Sequence, residues 1–134
     1  MKARSRAKDP APEVELDELR AAVADGSVDT VLLAIADMEG RLQGKRLTAQ
    51  HFLGEILENG SEGCSYLLTV DPDITTVAGY EMTSWDKGYG DFEMTPELST
   101  LRPLPRHQAT GMVMADPNWH GDDPVVASPR QILK

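Results

Sequence analysis

One cysteine, three histidines and a shortage of basic residues after position eight each remove a class of function from this chain. Cys64 has no second cysteine with which to close an internal disulfide or build a zinc cage. It heads Cys64-Ser65-Tyr66-Leu67-Leu68-Thr69-Val70, where apolar neighbours suit a small core residue better than a nucleophile. His51, His107 and His120 stand far apart, in none of the HxxxH or HxH spacings that bring two imidazoles onto one metal. GxSxG, P-loop, GxGxxG and paired-cysteine motifs do not occur. Nowhere do about 18 apolar residues run together to cross a bilayer, and no apolar segment follows the N-terminal charges as a secretory signal would require. The expectation is a soluble cytoplasmic protein without a membrane partner. Four of the 13 Lys and Arg residues are Lys2, Arg4, Arg6 and Lys8, so the remaining nine face 22 Asp and Glu. A body this acidic repels phosphate backbones, which argues against nucleic acid as a partner. Residues 1–12, ending in Asp9-Pro10-Ala11-Pro12, read as a disordered leader.

What the chain does contain is enough for one modest core, since 134 residues cannot build two. Residues 14–24 place Leu16, Leu19, Ala22 and Val23 at helical spacing before Gly26, a short amphipathic helix with a stop. Residues 30–36 (TVLLAIA) are apolar throughout and only seven long, which suits a buried strand. Asp37-Met38-Glu39-Gly40 reads as a turn and residues 41–48 as a half-exposed partner strand, making a hairpin. In residues 49–58 Phe52, Leu53, Ile56 and Leu57 share a stripe that Asn59-Gly60 closes, so a second helix is expected to pack across the sheet. Residues 65–70, a short run at 92–94, and 111–115 read as further strands, the last ended by Asp116-Pro117-Asn118. This order predicts an α+β roll: a mixed sheet with one helix across a face and a short N-terminal helix. Ser128 followed by Pro129 is a helix start with only about one turn of chain behind it, as if a further domain should begin there.

Candidate chemistry concentrates in residues 79–105. Gly79, Gly88 and Gly90 open backbone conformations closed to other residues, and between them stand Trp85, Lys87, Tyr89 and Asp91, the make-up of a loop that reaches a ligand or a partner. Trp85 serves equally well as an anchor tethering the loop to the body. Asp71-Pro72-Asp73 sets two carboxylates at a strand exit with their spacing stiffened by proline, able to hold a cation or an ammonium group, or else simply an acidic turn. Gly40, Gly44 and Lys45-Arg46 make a basic spot on the hairpin, which also reads as a strand edge protected by charge. The residues alone give no complete catalytic constellation.

Taken in order, these segments resemble the N-terminal β-grasp domain of the glutamine synthetases, and within that family the bacterial ligases that join glutamate to amines. Residues 37–46 (DMEGRLQGKR) are similar to a family hairpin D-x-x-G-x-x-x-G-K. Trp85-Asp86-Lys87-Gly88-Tyr89-Gly90-Asp91-Phe92, with Met94-Thr95-Pro96-Glu97 and Thr100-Leu101-Arg102, resembles the glycine loop and the strand after it. Asp116, Gly121 and Ser128-Pro129-Arg130-Gln131-Ile132-Leu133-Lys134 resemble the junction to the next domain. The resemblance covers about residues 14–134. It implies a β-grasp domain over 13–127 and the first helix of an absent catalytic domain over 128–134.

It also implies the ligase reaction, in which ATP phosphorylates the γ-carboxylate of glutamate and an amine attacks the acyl phosphate. ATP and Mg or Mn would belong to the full-length enzyme, with none expected to bind this segment tightly. Neighbouring subunits of a homo-oligomeric ring would share active sites, this domain lending its loop to the next. On that pattern Asp91 is the catalytic candidate, and Trp85, Asp71, Asp73 and Ser84 are substrate-binding candidates, with no metal ligand. The D-G-S-S string of the ammonia-using enzymes is absent, which favours a larger amine such as a polyamine or ethanolamine. Glu97 stands for the usual Asp after Pro96, and Pro105-Arg106 for Pro-Trp. The rival expectation is a free-standing β-grasp module that binds or regulates a synthetase.

Overall fold

Residues 13–83, 88 and 90–134 are described by the structure, a computed structural model. The first helix, Glu13–Ala24, ends where Gly26 takes a left-handed φ of 81°, and its Leu19 is buried while Val23 packs beside it. Strand β1 (Thr30–Ala36) pairs antiparallel with β2 (Leu42–Thr48) in the expected hairpin. The second helical segment runs through Ala49–His51, a π-helical Phe52–Ile56 and Leu57–Asn59, with the Thr48 side chain capping its start by accepting from the His51 N–H. Ala49, Phe52 and Ile56 of this segment are buried, and Leu53 and Leu57 flank them, as the stripe required.

Beyond this point the strands depart from their sequence expectations. Strand β3 is Ser61–Cys64, and the apolar run expected to be a strand over 65–70 instead begins as a 3-10 helix, Ser65–Leu68. Only Val70 keeps strand character, in an isolated bridge to Thr76. The run is apolar because it plugs the core with Leu68 rather than because it extends along the sheet. Cys64 is correspondingly half-buried, not a core residue. Strand β4 is far longer than the expected 92–94, running Asp91–Pro103 with a register shift between Glu97 and Arg102. There the Thr100 hydroxyl accepts from the Met114 N–H at 2.8 Å, standing in for a ladder bond.

Strand β5 (Thr110–Trp119) does not stop at Asp116-Pro117-Asn118 but continues through it, and β6 (Asp123–Pro124) pairs with its end. Pro117 is tolerated because β1, paired with β5 only as far as Met114, has already ended beside it, so the missing N–H interrupts no ladder. The sheet order is β2-β1-β5-β4-β3, with β1 and β5 parallel and the other pairs antiparallel, the expected mixed sheet.

One face of the sheet carries the core: Val31, Leu33 and Ile35 from β1, Val113 and Ala115 from β5, and Phe92 and Met94 from β4 meet Phe52 and Ile56 of the helix. The sheet curls far enough for Lys45 on one edge strand to donate to the Ser61 hydroxyl on the other at 2.9 Å. The opposite face gathers Ala34, Met112 and Met114. On its continuation Asp116 accepts from Arg130 Nε at 3.1 Å and from Lys134 Nζ. Those ion pairs hold the C-terminal helix Pro129–Ile132, whose N-cap is Ser128 as expected.

Candidate functional site

The register of the strands defines one end of the sheet. Ala34 lies beside Met114, Glu93 beside Asn118, and Cys64 beside Asp91. The ends of β1, β5 and β3 and the start of β4 therefore converge, and with them the 37–41 turn and the entry to β4.

Asp37 opens the first of these turns, with 1% of its surface exposed. Its Oδ1 accepts from the N–H groups of Glu39 (3.0 Å) and Arg41 (2.8 Å). Its Oδ2 accepts from Arg41 Nε (2.9 Å) and Gln43 Nε2 (3.1 Å). Burial pushes the Asp37 carboxyl up, but hydrogen bonds from the Gln43 amide, the Arg41 backbone and side chain and the Glu39 backbone outweigh it and hold the group below its ordinary value. Gly40 supplies a φ of 77°. At Gly44 an added Cβ would lie 1.9 Å from the Leu33 carbonyl oxygen, so only glycine fits against β1 there. Each fixed position of the D-x-x-G-x-x-x-G-K hairpin thus has a physical role.

Arg41 reaches out of that turn into a second one. Its Nη2 donates to the Asp71 carbonyl at 3.1 Å and its Nη1 to the Pro72 carbonyl. Asp71 Oδ1 accepts from the Asp73 and Thr75 N–H groups, both at 2.9 Å. The Asp71 N–H donates to the Thr75 carbonyl and the Ile74 N–H to the Asp71 carbonyl, both at 2.9 Å. One oxygen of Asp71 is thus engaged in shaping the turn, whereas the Asp73 side chain is exposed at the surface. Ile74 takes a φ of 62° with half its surface exposed.

Asp91 is exposed at the first position of β4. The residue before it is clamped, since the Ser65 N–H donates to the Gly90 carbonyl (2.8 Å) and the Gly90 N–H to the Ser65 hydroxyl (3.3 Å). Buried Thr83 donates its hydroxyl to the Gly88 carbonyl at 2.8 Å. Two buried hydroxyls therefore fix both flanks of the glycine loop. Ser84 and Trp85 lie outside the described residues. The structure joins Asp71 and Asp73 in one turn, and Asp91 stands at the sheet end where the 37–41 turn, braced to that one, also lies. Sequence reasoning missed Asp37, Arg41, Ser65 and Thr83 as the residues that hold these positions, although the spacing of the hairpin motif marked the first.

No protein-family model matches the chain. It is 56% identical over 126 residues, 94% of its length, to a γ-glutamylethanolamide synthetase of Streptomyces coelicolor. It is 33% identical over 108 residues to a glutamate–isopropylamine ligase of a Pseudomonas species. Its homologues are members of the glutamine synthetase family. It covers 27% and 24% of those two relatives, about a quarter of their length. Among solved structures, a GmaS complex with ADP superposes with a TM-score of 0.63 over 86% of this chain and 23% of its own, and a glutamine synthase homolog gives 0.62 over 79% and 25%. At 20% and 21% identity these two likenesses speak for the fold alone.

Among the described residues no group of three or more His, Cys, Asp and Glu side chains converges as a metal site would need. No described helix is long and apolar enough to cross a membrane.

Proposed function

We propose that this chain is the N-terminal, β-grasp part of a cytoplasmic glutamine synthetase-like ligase that couples ATP hydrolysis to amide formation between glutamate and an amine. The observation that carries the reading is the 56% identity, over nearly the whole chain, to a γ-glutamylethanolamide synthetase. In this reading ATP and its Mg or Mn are held by the remainder of the enzyme, residues 128–134 lead into that remainder, and the 79–91 loop is lent to the active site of a neighbouring subunit in a homo-oligomeric ring. The amine arrives as an ammonium ion, so it must be held by a carboxylate and lose a proton before its lone pair can attack the acyl phosphate. Asp91 is the candidate for that task, with Asp71 and Asp73 beside the amine. Ser84 and Trp85 complete the enclosure, Trp85 excluding the water that would hydrolyse the activated acyl group. The clamping of the loop flanks by Ser65 and Thr83 supports a loop with a fixed base.

The test is coupled ATP turnover with glutamate plus ammonia, ethanolamine, isopropylamine or putrescine. It is run on this chain alone and on a protein carrying it ahead of its native downstream sequence. Turnover that depends on a substituted amine, in the longer protein only, is expected. Absence of turnover in either, with all four amines, overturns the ligase reading in favour of a free-standing interaction module.

A further inference from the structure

We infer that Arg41 is a positioning residue for the Asp71–Asp73 turn; the inference rests on the reading that this turn faces the amine. Three observations carry it. The guanidinium of Arg41 is anchored on one side, by Nε, to the buried carboxylate of Asp37, so its plane is fixed by the sheet rather than by solvent. On the other side its two terminal nitrogens reach the carbonyls of Asp71 and Pro72, some 30 residues along the chain, which is the fork geometry that a lysine ammonium cannot reproduce. Ile74, next in that turn, is a β-branched residue at φ 62°, a conformation that persists only where surrounding bonds over-determine it. The turn's own bonds run from Asp71 to residues 73, 74 and 75. They set its shape, and the Val70–Thr76 bridge with the Val77 N–H donated to the Thr69 carbonyl closes its base, whereas Arg41 ties its tip, at Asp71 and Pro72, to the 37–41 turn. Arg41 therefore decides where the exposed carboxylate of Asp73 stands while touching no substrate itself.

The experiment has two readouts. Amide hydrogen exchange is followed in this chain for wild type and Arg41→Lys, which keeps the charge but not the fork. Exchange at residues 73, 74, 75 and 77 is expected to quicken at least tenfold, with the β1 amides of Val31, Leu33 and Ile35 unchanged. Unchanged exchange in the turn, or equal acceleration in β1, overturns the inference, the second outcome because it shows a general loss of stability. In the longer ligase, Arg41→Lys and Asp73→Asn are each expected to raise KM for the amine at least fivefold with kcat within twofold of wild type. If Arg41→Lys loosens the turn and neither variant moves the amine KM, the role in positioning for the reaction falls even where ATP turnover itself upholds the ligase reading.

Discussion

Two turns of this molecule are built on the same hydrogen-bond plan from different residues. Asp37 and Asp71 each accept, through Oδ1, from the N–H groups two and four residues ahead. In each, the first N–H donates to the carbonyl of the fifth residue, and the fourth N–H donates to the first carbonyl. In each, the fourth residue has a positive φ: Gly40 at 77° in one and Ile74 at 62° in the other. The difference lies in what surrounds the head carboxylate. Asp37 is buried and meets an arginine and a glutamine with its second oxygen, whereas Asp71 is only half-buried. The same local device is a structural knot where four donors converge in the interior, and a surface feature where only two do.

Removing the two carboxylates separates these roles most sharply. Asp37→Ala leaves a partly exposed guanidinium, an amide and two N–H groups without their acceptor and is expected to cost about 3 kcal/mol, the low end for breaking a buried pair because only the carboxylate is fully buried. Asp71→Ala exposes its freed N–H groups to water and is expected to cost about 1 kcal/mol. Urea unfolding measures both, and equal costs would show that the second turn is as deeply built into the fold as the first.

The pH dependence of the first turn is the next largest effect. Because the folded Asp37 carboxyl lies below its ordinary value, the unfolded state takes up the proton first. Its stabilisation is then complete above the unfolded value of about 3.9 and is lost as pH falls through the folded one. The stability gap between wild type and Asp37→Asn should be constant from pH 7 to 5 and should shrink below about pH 4. A gap that holds unchanged down to pH 3 would contradict the depressed carboxyl.

How much of this was legible in the sequence follows from the same pair. Gly40 announces a left-handed position, so the 37–41 turn and both strands of its hairpin could be read to within a residue. The helical stripe of Phe52 and Ile56 was equally plain, because its period matches its buried face. Ile74 announces nothing: a β-branched residue reads as strand, and the turn it occupies is held by Arg41 from 30 residues away, a contact that no local pattern carries. The misread run at 65–70 failed for a related reason, since apolar character records burial and not whether the backbone is extended. Among the candidate site residues, Asp73 and Asp91 are found exposed. What holds them in place, Arg41 for one turn and Ser65 for the entry to β4, lay in long-range hydrogen bonds and was not visible.

The reciprocal exchange at the fourth position includes the smallest effect, at Ile74, and is the most direct comparison. Gly40→Ile would force a β-branched side chain into the left-handed region in a turn whose other bonds are already fixed, at an expected cost of about 2 kcal/mol. The opposite change, Ile74→Gly, relieves a strain of that order, offset by the greater entropy that glycine loses on folding, about 0.5–1 kcal/mol, and by little lost burial, because half of the side chain is already in water. The net expectation is a stability equal to wild type or higher by less than about 1 kcal/mol. A loss of more than about 1.5 kcal/mol would mean that Ile74 packs against the body and that its backbone is comfortable there. Unchanged or raised stability instead shows that the fold is served at least as well by glycine, as it is at Gly40, so that the reason for an isoleucine beside the exposed carboxylate of Asp73 lies outside the stability of this chain.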